Sequence, residues 1–161
     1  SATLGNSLAC NHVGFMLDKG LGVKRNKALA RRWYAAGAKR GDPVAMYNLA
    51  RSIQLKGRKG ILPSKARFWY TKAAKSGMSD AMLELGLAEL VRSKGNSAHR
   101  AREWFEKASS GVTFGEAEYQ LAIIQLKSKS DKDRKAAFAN LKVAQSFDHG
   151  KAIRLLRKLN V

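Results

Sequence analysis

The chain has 161 residues, 45% of them hydrophobic, and a formal net charge of +19. That apolar share suits one domain with a continuous core and excludes a disordered polybasic tail, which has too few apolar residues to fold. No run of about 18 apolar residues exists, which excludes a membrane-spanning helix, and the single cysteine, Cys10, excludes an intrachain disulfide.

Only two prolines are present, which favours helices. The start, Ser1-Ala2-Thr3-Leu4-Gly5, shows neither the charged nor the apolar stretch of a signal peptide. Ala9, Val13-Gly14 and Leu17 then follow at helical spacing and predict a first helix. Gly20-Leu21-Gly22-Val23 predicts a turn. Ala30, Trp33, Tyr34 and Ala38 make the stripe of a second helix, ended by Gly41. Gly5 precedes Ala9 by four residues, as Gly41 precedes Ala45, so the chain is expected to begin at the end of an earlier unit.

The next pair repeats this plan. Ala45, Leu49 and Ile53 share one helical face, and Lys56-Gly57-Arg58-Lys59-Gly60 breaks the helix. Pro63 stands where a further helix begins. Ala66, Trp69, Tyr70, Ala73 and Ala74 give its stripe, and Gly77 is a C-terminal cap candidate.

The period is fixed. Ala9, Ala45, Ala81 and Ala117 are 36 apart, and Ala152 follows after 35. The aromatic pairs Trp33-Tyr34, Trp69-Tyr70 and Trp104-Phe105 are 36 and 35 apart. A period in this range marks stacked repeats that each contact mainly their neighbours. Small residues at the crossing let short helices approach, and the aromatic pair fills the gap beside them. Trp33, Trp69 and Trp104 are therefore expected in the core.

Gly20-x-Gly22-Val23, Asn26, Ala30, Trp33-Tyr34, Ala38 and Gly41 resemble the Sel-one-like repeat, a relative of the tetratricopeptide repeat. Lys65-Ala66, Trp69-Tyr70, Lys72-Ala73-Ala74 and Gly77 resemble it in the second unit. Leu85-Gly86, Arg100-Ala101, Trp104-Phe105 and Lys107-Ala108 do so in the third. The fourth keeps Leu121, Lys135-Ala136 and Ala144 but lacks the aromatic pair. The resemblance implies an all-α, right-handed α–α superhelical solenoid of about four Sel-one-like helix pairs plus a C-terminal capping helix. The expected units are about 6–41, 42–77, 78–113 and 114–150, with the last helix at 151–161. In that helix Leu155, Leu156 and Leu159 point inward and Arg154, Arg157 and Lys158 outward.

Charge is uneven along the chain. Residues 1–79 hold 16 Lys/Arg against Asp18 and Asp42, a balance of +14; residues 80–126 come to −2 and residues 127–161 to +7. An acidic protein, nucleic acid or an anionic membrane surface suits such a balance. Catalytic chemistry is not indicated. His12, His99 and His149 are not spaced for a metal, and Cys10 reads as a small helical residue. No nucleophile elbow, phosphate-loop, zinc-protease or dinucleotide motif occurs. Gly57-Arg58-Lys59-Gly60 lacks the ending of a phosphate loop, and no cofactor is implied.

The expected function is therefore a non-enzymatic protein-interaction module with an acidic protein partner; nucleic-acid binding is the alternative. The resemblance implies that the first helix of each pair lines a concave groove. On that basis Phe15, Tyr47, Arg51, Leu83, Leu87, Tyr119 and Ile123 are the candidate partner-binding residues, with Asn11 and Arg154 at related positions. Side-chain packing between neighbouring first helices is the competing explanation for them. The resemblance further implies a bacterial adaptor, an envelope regulator or scaffold, or an immunity protein against a secreted toxin, and the periplasm or envelope rather than the cytoplasm.

Overall fold

A computed structural model describes residues 2–54, 60–92, 98–111, 113, 115–128 and 130–160, with side chains from residue 6 onward. The described residues form helices only: α1 (Ala2–Lys19), α2 (Lys27–Lys39), α3 (Pro43–Ile53), α4 (Ser64–Lys75), α5 (Ser79–Arg92), α6 (Ala98–Ser109), α7 (Glu116–Leu126), α8 (Asp131–Ser146) and α9 (Gly150–Lys158). This is an all-α helical-repeat fold. It divides into two compact units, 1–81 and 82–161.

In the first unit α1 packs on α2, α2 on α3 and α3 on α4. Local chemistry starts the helices where the sequence turns. Asn26 Oδ1 accepts from the Leu29 N–H at 3.0 Å and opens α2. Asp42 Oδ1 accepts from the Val44 N–H at 2.9 Å and opens α3, whose first residue is Pro43. Pro63 precedes α4 directly. The break at 55–59 lies outside the described residues. Gly41 and Gly77 follow α2 and α4 at φ +92° and +87°. Gly5, by contrast, lies inside α1 and ends no helix.

The core corrects one expectation. Tyr34, Tyr70 and Phe105, the second member of each aromatic pair, are buried, whereas Trp33 is 37% exposed and Trp69 and Trp104 are half-buried. The second member is the knob because a small residue on the preceding helix faces it. A Cβ built on Gly14 would stand 2.7 Å from the Tyr34 ring, and one on Gly86 would stand 2.5 Å from Phe105. Both distances are too short for any side chain, so these two glycines set how closely the helices approach. The same register holds Ala50 in the second pair, and Ala122 with Leu141 in the fourth, all buried.

The tryptophans lie one residue earlier, about 100° round the helix and at the edge of the core. Lys72 Nζ covers the Trp69 ring at 5.6 Å, and Lys107 Nζ covers Trp104 at 5.2 Å. Ala36 occupies the equivalent place after Trp33, which leaves that indole the most open. Ala9 departs in a similar way. It is exposed, whereas Ala45 is buried against Gly37 of α2; α1 has no preceding helix among the described residues to cover the same face.

In the second unit α6 packs on α7, α7 on α8 and α8 on α9. Ala101, Phe105 and Leu121 form one core cluster. Ala122, Ala137, Leu141, Ala144, Ala152 and Leu156 form another, against which Leu155 and Leu159 pack. Arg154, Arg157 and Lys158 are exposed on α9. His149 opens this helix: its Nδ1 accepts from the Ala152 N–H at 3.3 Å, so Nε2 carries the hydrogen and donates to Glu116 Oε2 at 2.8 Å.

Candidate functional site

The residues expected to face a partner fall into separate settings. In the first unit Tyr47 is half-buried on α3 and meets the Tyr70 ring edge-on at 5.6 Å. The Arg51 guanidinium lies 5.9 Å over the Tyr47 ring, so these two form one aromatic–cationic spot. Phe15 on α1 is 43% exposed, with Lys19 Nζ 5.8 Å from its ring. Asn11 is buried, and its Oδ1 accepts from Asn48 Nδ2 at 2.9 Å, which ties α1 to α3 rather than facing solvent.

In the second unit Leu83 and Leu87 are half-buried against the Ala101–Phe105–Leu121 cluster, beside Leu90 and Ile124. Tyr119 packs on the other cluster, its ring 4.9 Å from that of His149, with Lys151 Nζ 5.9 Å above it. Ile123 is half-buried. Arg154 is exposed, its Nε donating to Gly150 O at 3.2 Å. Much of the apolar area of Leu83, Leu87 and Tyr119 is therefore already used within the fold.

A second feature of the first unit was not visible in the spacing. Asp18 and Lys19 at the end of α1, Arg25 in the turn, Lys27, Ala30, Arg31 and Tyr34 of α2, Asn48 with 51–53 of α3, and Gln54 just after it line a cavity of about 490 Å³. Arg25 Nε donates to the Asp18 carbonyl at 2.8 Å, and Arg31 Nη2 donates to the Ser52 carbonyl at 2.7 Å. These bonds fix both side chains without neutralising them. Among the described residues no carboxylate lies within ion-pair distance of Arg25, Arg31 or Arg51; Asp80 acts on Arg51 only over a longer range. Tyr34 is packed at the inner wall. Burial, with the Asp18 charge adding and Arg51 opposing, pushes its phenol up to about 12, so it stays a neutral donor.

The outer face of α4 carries a different patch. Phe68 is 52% exposed, with Lys72 Nζ 5.0 Å over its ring, and a cavity of about 430 Å³ is lined by Leu62, Ser64, Arg67, Phe68, Thr71, Lys72 and Lys75. The described residues contain no group of three or more His, Cys, Asp or Glu placed to hold a metal. No helix among them is long and apolar enough to cross a membrane.

The cleft residues are drawn from three helices and a turn, which a search for motifs passes over. The only linear signal is the density of cations at Lys24-Arg25, Lys27 and Arg31-Arg32 beside a single nearby acid, Asp18.

Known proteins share the helical-repeat fold. The Sel1 repeat pattern matches residues 7–42, 43–78, 79–111 and 115–144. The structure is similar to the crystal structure of a Sel1 repeat protein from Oxalobacter formigenes, with a TM-score of 0.76 and 27% identity over 92% of this chain and 60% of that one. It is also similar to c5321, a protective antigen of uropathogenic Escherichia coli strains with an SLR fold, at a TM-score of 0.74 and 25% identity over 94% of this chain and 33% of that one. The chain thus spans less than two thirds of either protein. A search of curated proteins gives no match. With four matched repeats over most of its length, the chain belongs to the Sel1 repeat family.

Proposed function

We propose that this chain is a non-enzymatic bacterial interaction module that binds an acidic protein partner. Sel1 repeats generally mediate protein–protein interaction, and proteins built from them are typically scaffolds rather than enzymes. The observation that carries the acidic partner is the first unit's set of arginines, held by backbone carbonyls and an aromatic ring instead of by carboxylates. A cation fixed but not neutralised is ready for an incoming anion, with little ordering left to do on binding. Tyr47 and Arg51 supply an anchor of the residue types enriched at binding hot spots.

The net charge of +19 adds long-range steering, which raises association rates by one or more orders of magnitude, on the order of 10–1,000-fold. Fast capture suits an inhibitor or immunity protein that neutralises a secreted toxin. An envelope adaptor would use the same surface without that demand on rate. Affinity capture with mass spectrometry, at low and moderate salt and after nuclease treatment, tests the reading. An acidic protein should be retained in all conditions, and Tyr47→Ala with Arg51→Ala should weaken it by about 1–3 kcal/mol without unfolding. Recovery of nucleic acid in its place, with log affinity falling linearly and steeply with log salt for any sequence, would replace it with nucleic-acid binding.

A further inference from the structure

We infer that the cleft between α1, α2 and α3 is the subsite that takes the partner's carboxylates: one protruding segment carrying two or more Asp or Glu side chains. This rests on the reading of the chain as an acidic-protein binder and gives that reading a place and a stereochemistry.

The cleft is the right size for part of a macromolecule. Its volume of about 490 Å³ falls within the roughly 300–1,000 Å³ of ordinary ligand sites. Its charge is one-sided: Lys19, Arg25, Lys27, Arg31 and Arg51 line it against Asp18 alone. Arg25 is anchored on the last turn of α1 and Arg31 on the last turn of α3. The guanidiniums are therefore held at separate points on different helices. That suits several carboxylates spread along a segment better than one compact phosphate.

Each anchoring bond uses a single N–H of a five-donor group, leaving a planar edge for two-pronged carboxylate recognition. Tyr34 adds a neutral donor. It is 3% exposed, and its hydroxyl has no hydrogen-bond partner among the described residues, though it lies in the electrostatic reach of Asp18 and Arg51 on the cleft wall. The hydroxyl oxygen is open to the cleft rather than sealed away from solvent, so it can donate to an entering carboxylate oxygen.

The test is a titration of the full chain, isotopically labelled, with an acetylated and amidated hexaglutamate peptide at low salt, followed by NMR. The side-chain Nε–H signals of Arg25, Arg31 and Arg51 and the Tyr34 ring signals should shift first and saturate together. Arg25→Gln with Arg51→Gln should lower affinity at least about tenfold, and Arg67→Gln with Lys72→Gln on α4 less than about threefold. Tyr34→Phe, which keeps the ring, should lower it about two- to fivefold.

Shifts spread evenly over exposed arginines, equal losses from the α4 pair, or no peptide binding would overturn the inference, and the wild-type map decides this even if a variant fails to fold. Displacement of the peptide by a lower concentration of pyrophosphate or of decathymidylate would overturn it in favour of phosphate ligands. Failure of the affinity capture with intact peptide binding at these arginines would retire the functional reading and leave the cleft. Capture of an acidic protein that ignores Arg25→Gln and Arg51→Gln would retire the cleft and leave the reading.

Discussion

Gly86→Ala should destabilise the protein, although the same change in an ordinary helix stabilises it. The added Cβ would stand 2.5, 2.8 and 2.9 Å from three atoms of the Phe105 ring, which is fully buried and has nowhere to swing. Forcing one carbon into a packed core costs about 1–3 kcal/mol, while alanine's better helix propensity returns about 0.8–1 kcal/mol. The net loss is up to about 2 kcal/mol, which for a chain of this size lowers the melting temperature by up to about 8 °C. Phe105→Leu alone should cost about 1–2 kcal/mol through the space it leaves. The double variant rebuilds the fourth repeat's pair, Ala122 with Leu141. It should lose less than the two single losses combined by about 1 kcal/mol or more. Urea and thermal melts followed by circular dichroism measure all three. Strictly additive losses, or a Gly86→Ala variant that melts above the parent, would refute the knob-and-gap account of the repeat.

Tyr70→Ala should cost about 3–5 kcal/mol and Trp33→Ala less than about 1.5 kcal/mol, because the tyrosine and not the tryptophan is enclosed; equal losses in denaturant melts would contradict this. Tyr34 should ionise near 12 rather than at the ordinary 10.0, read as a delayed tyrosinate absorbance step that Tyr34→Phe removes. Its folded value is raised, so its contribution is fully present below pH 10 and is lost as pH climbs toward 12. For Glu116, burial pushes the carboxyl up, but hydrogen bonds from Gln120 and His149 and the nearby Lys151 charge outweigh it and hold the group below its ordinary 4.5. Its contribution is therefore present above pH 4.5 and lost as pH falls through the lower folded value. His149→Ala removes both that bond and the cap of α9; it should cost about 1–2 kcal/mol near neutrality and flatten the acid limb of the stability curve.

The fold was legible because packing constraints recur along the chain. The alanines at 45, 81, 117 and 152 and the aromatic pairs each answer a helix crossing, and the crossing returns once per repeat. Which member of a pair is enclosed was not legible. Trp69 and Tyr70 are adjacent and both apolar, and the choice depends on where Ala50 stands on the other helix of the pair. Lys72 and Lys107 look like solvated charges in the sequence, yet they cover indole faces. Tyr47 and Arg51 could be paired from a four-residue spacing, because both lie on one helix. Arg25 and Arg31 could not, since their positions depend on carbonyls at residues 18 and 52, contributed by different helices.

The most direct measurement is the affinity of the captured partner for the wild-type chain and for Arg25→Gln with Arg51→Gln, by calorimetry at physiological salt. The account predicts an acidic protein bound with 1:1 stoichiometry, weakened at least about tenfold in the variant, with both chains melting within about 2 °C of each other. Equal affinity for the two chains would contradict the assignment of the acidic partner to the arginines of the first unit.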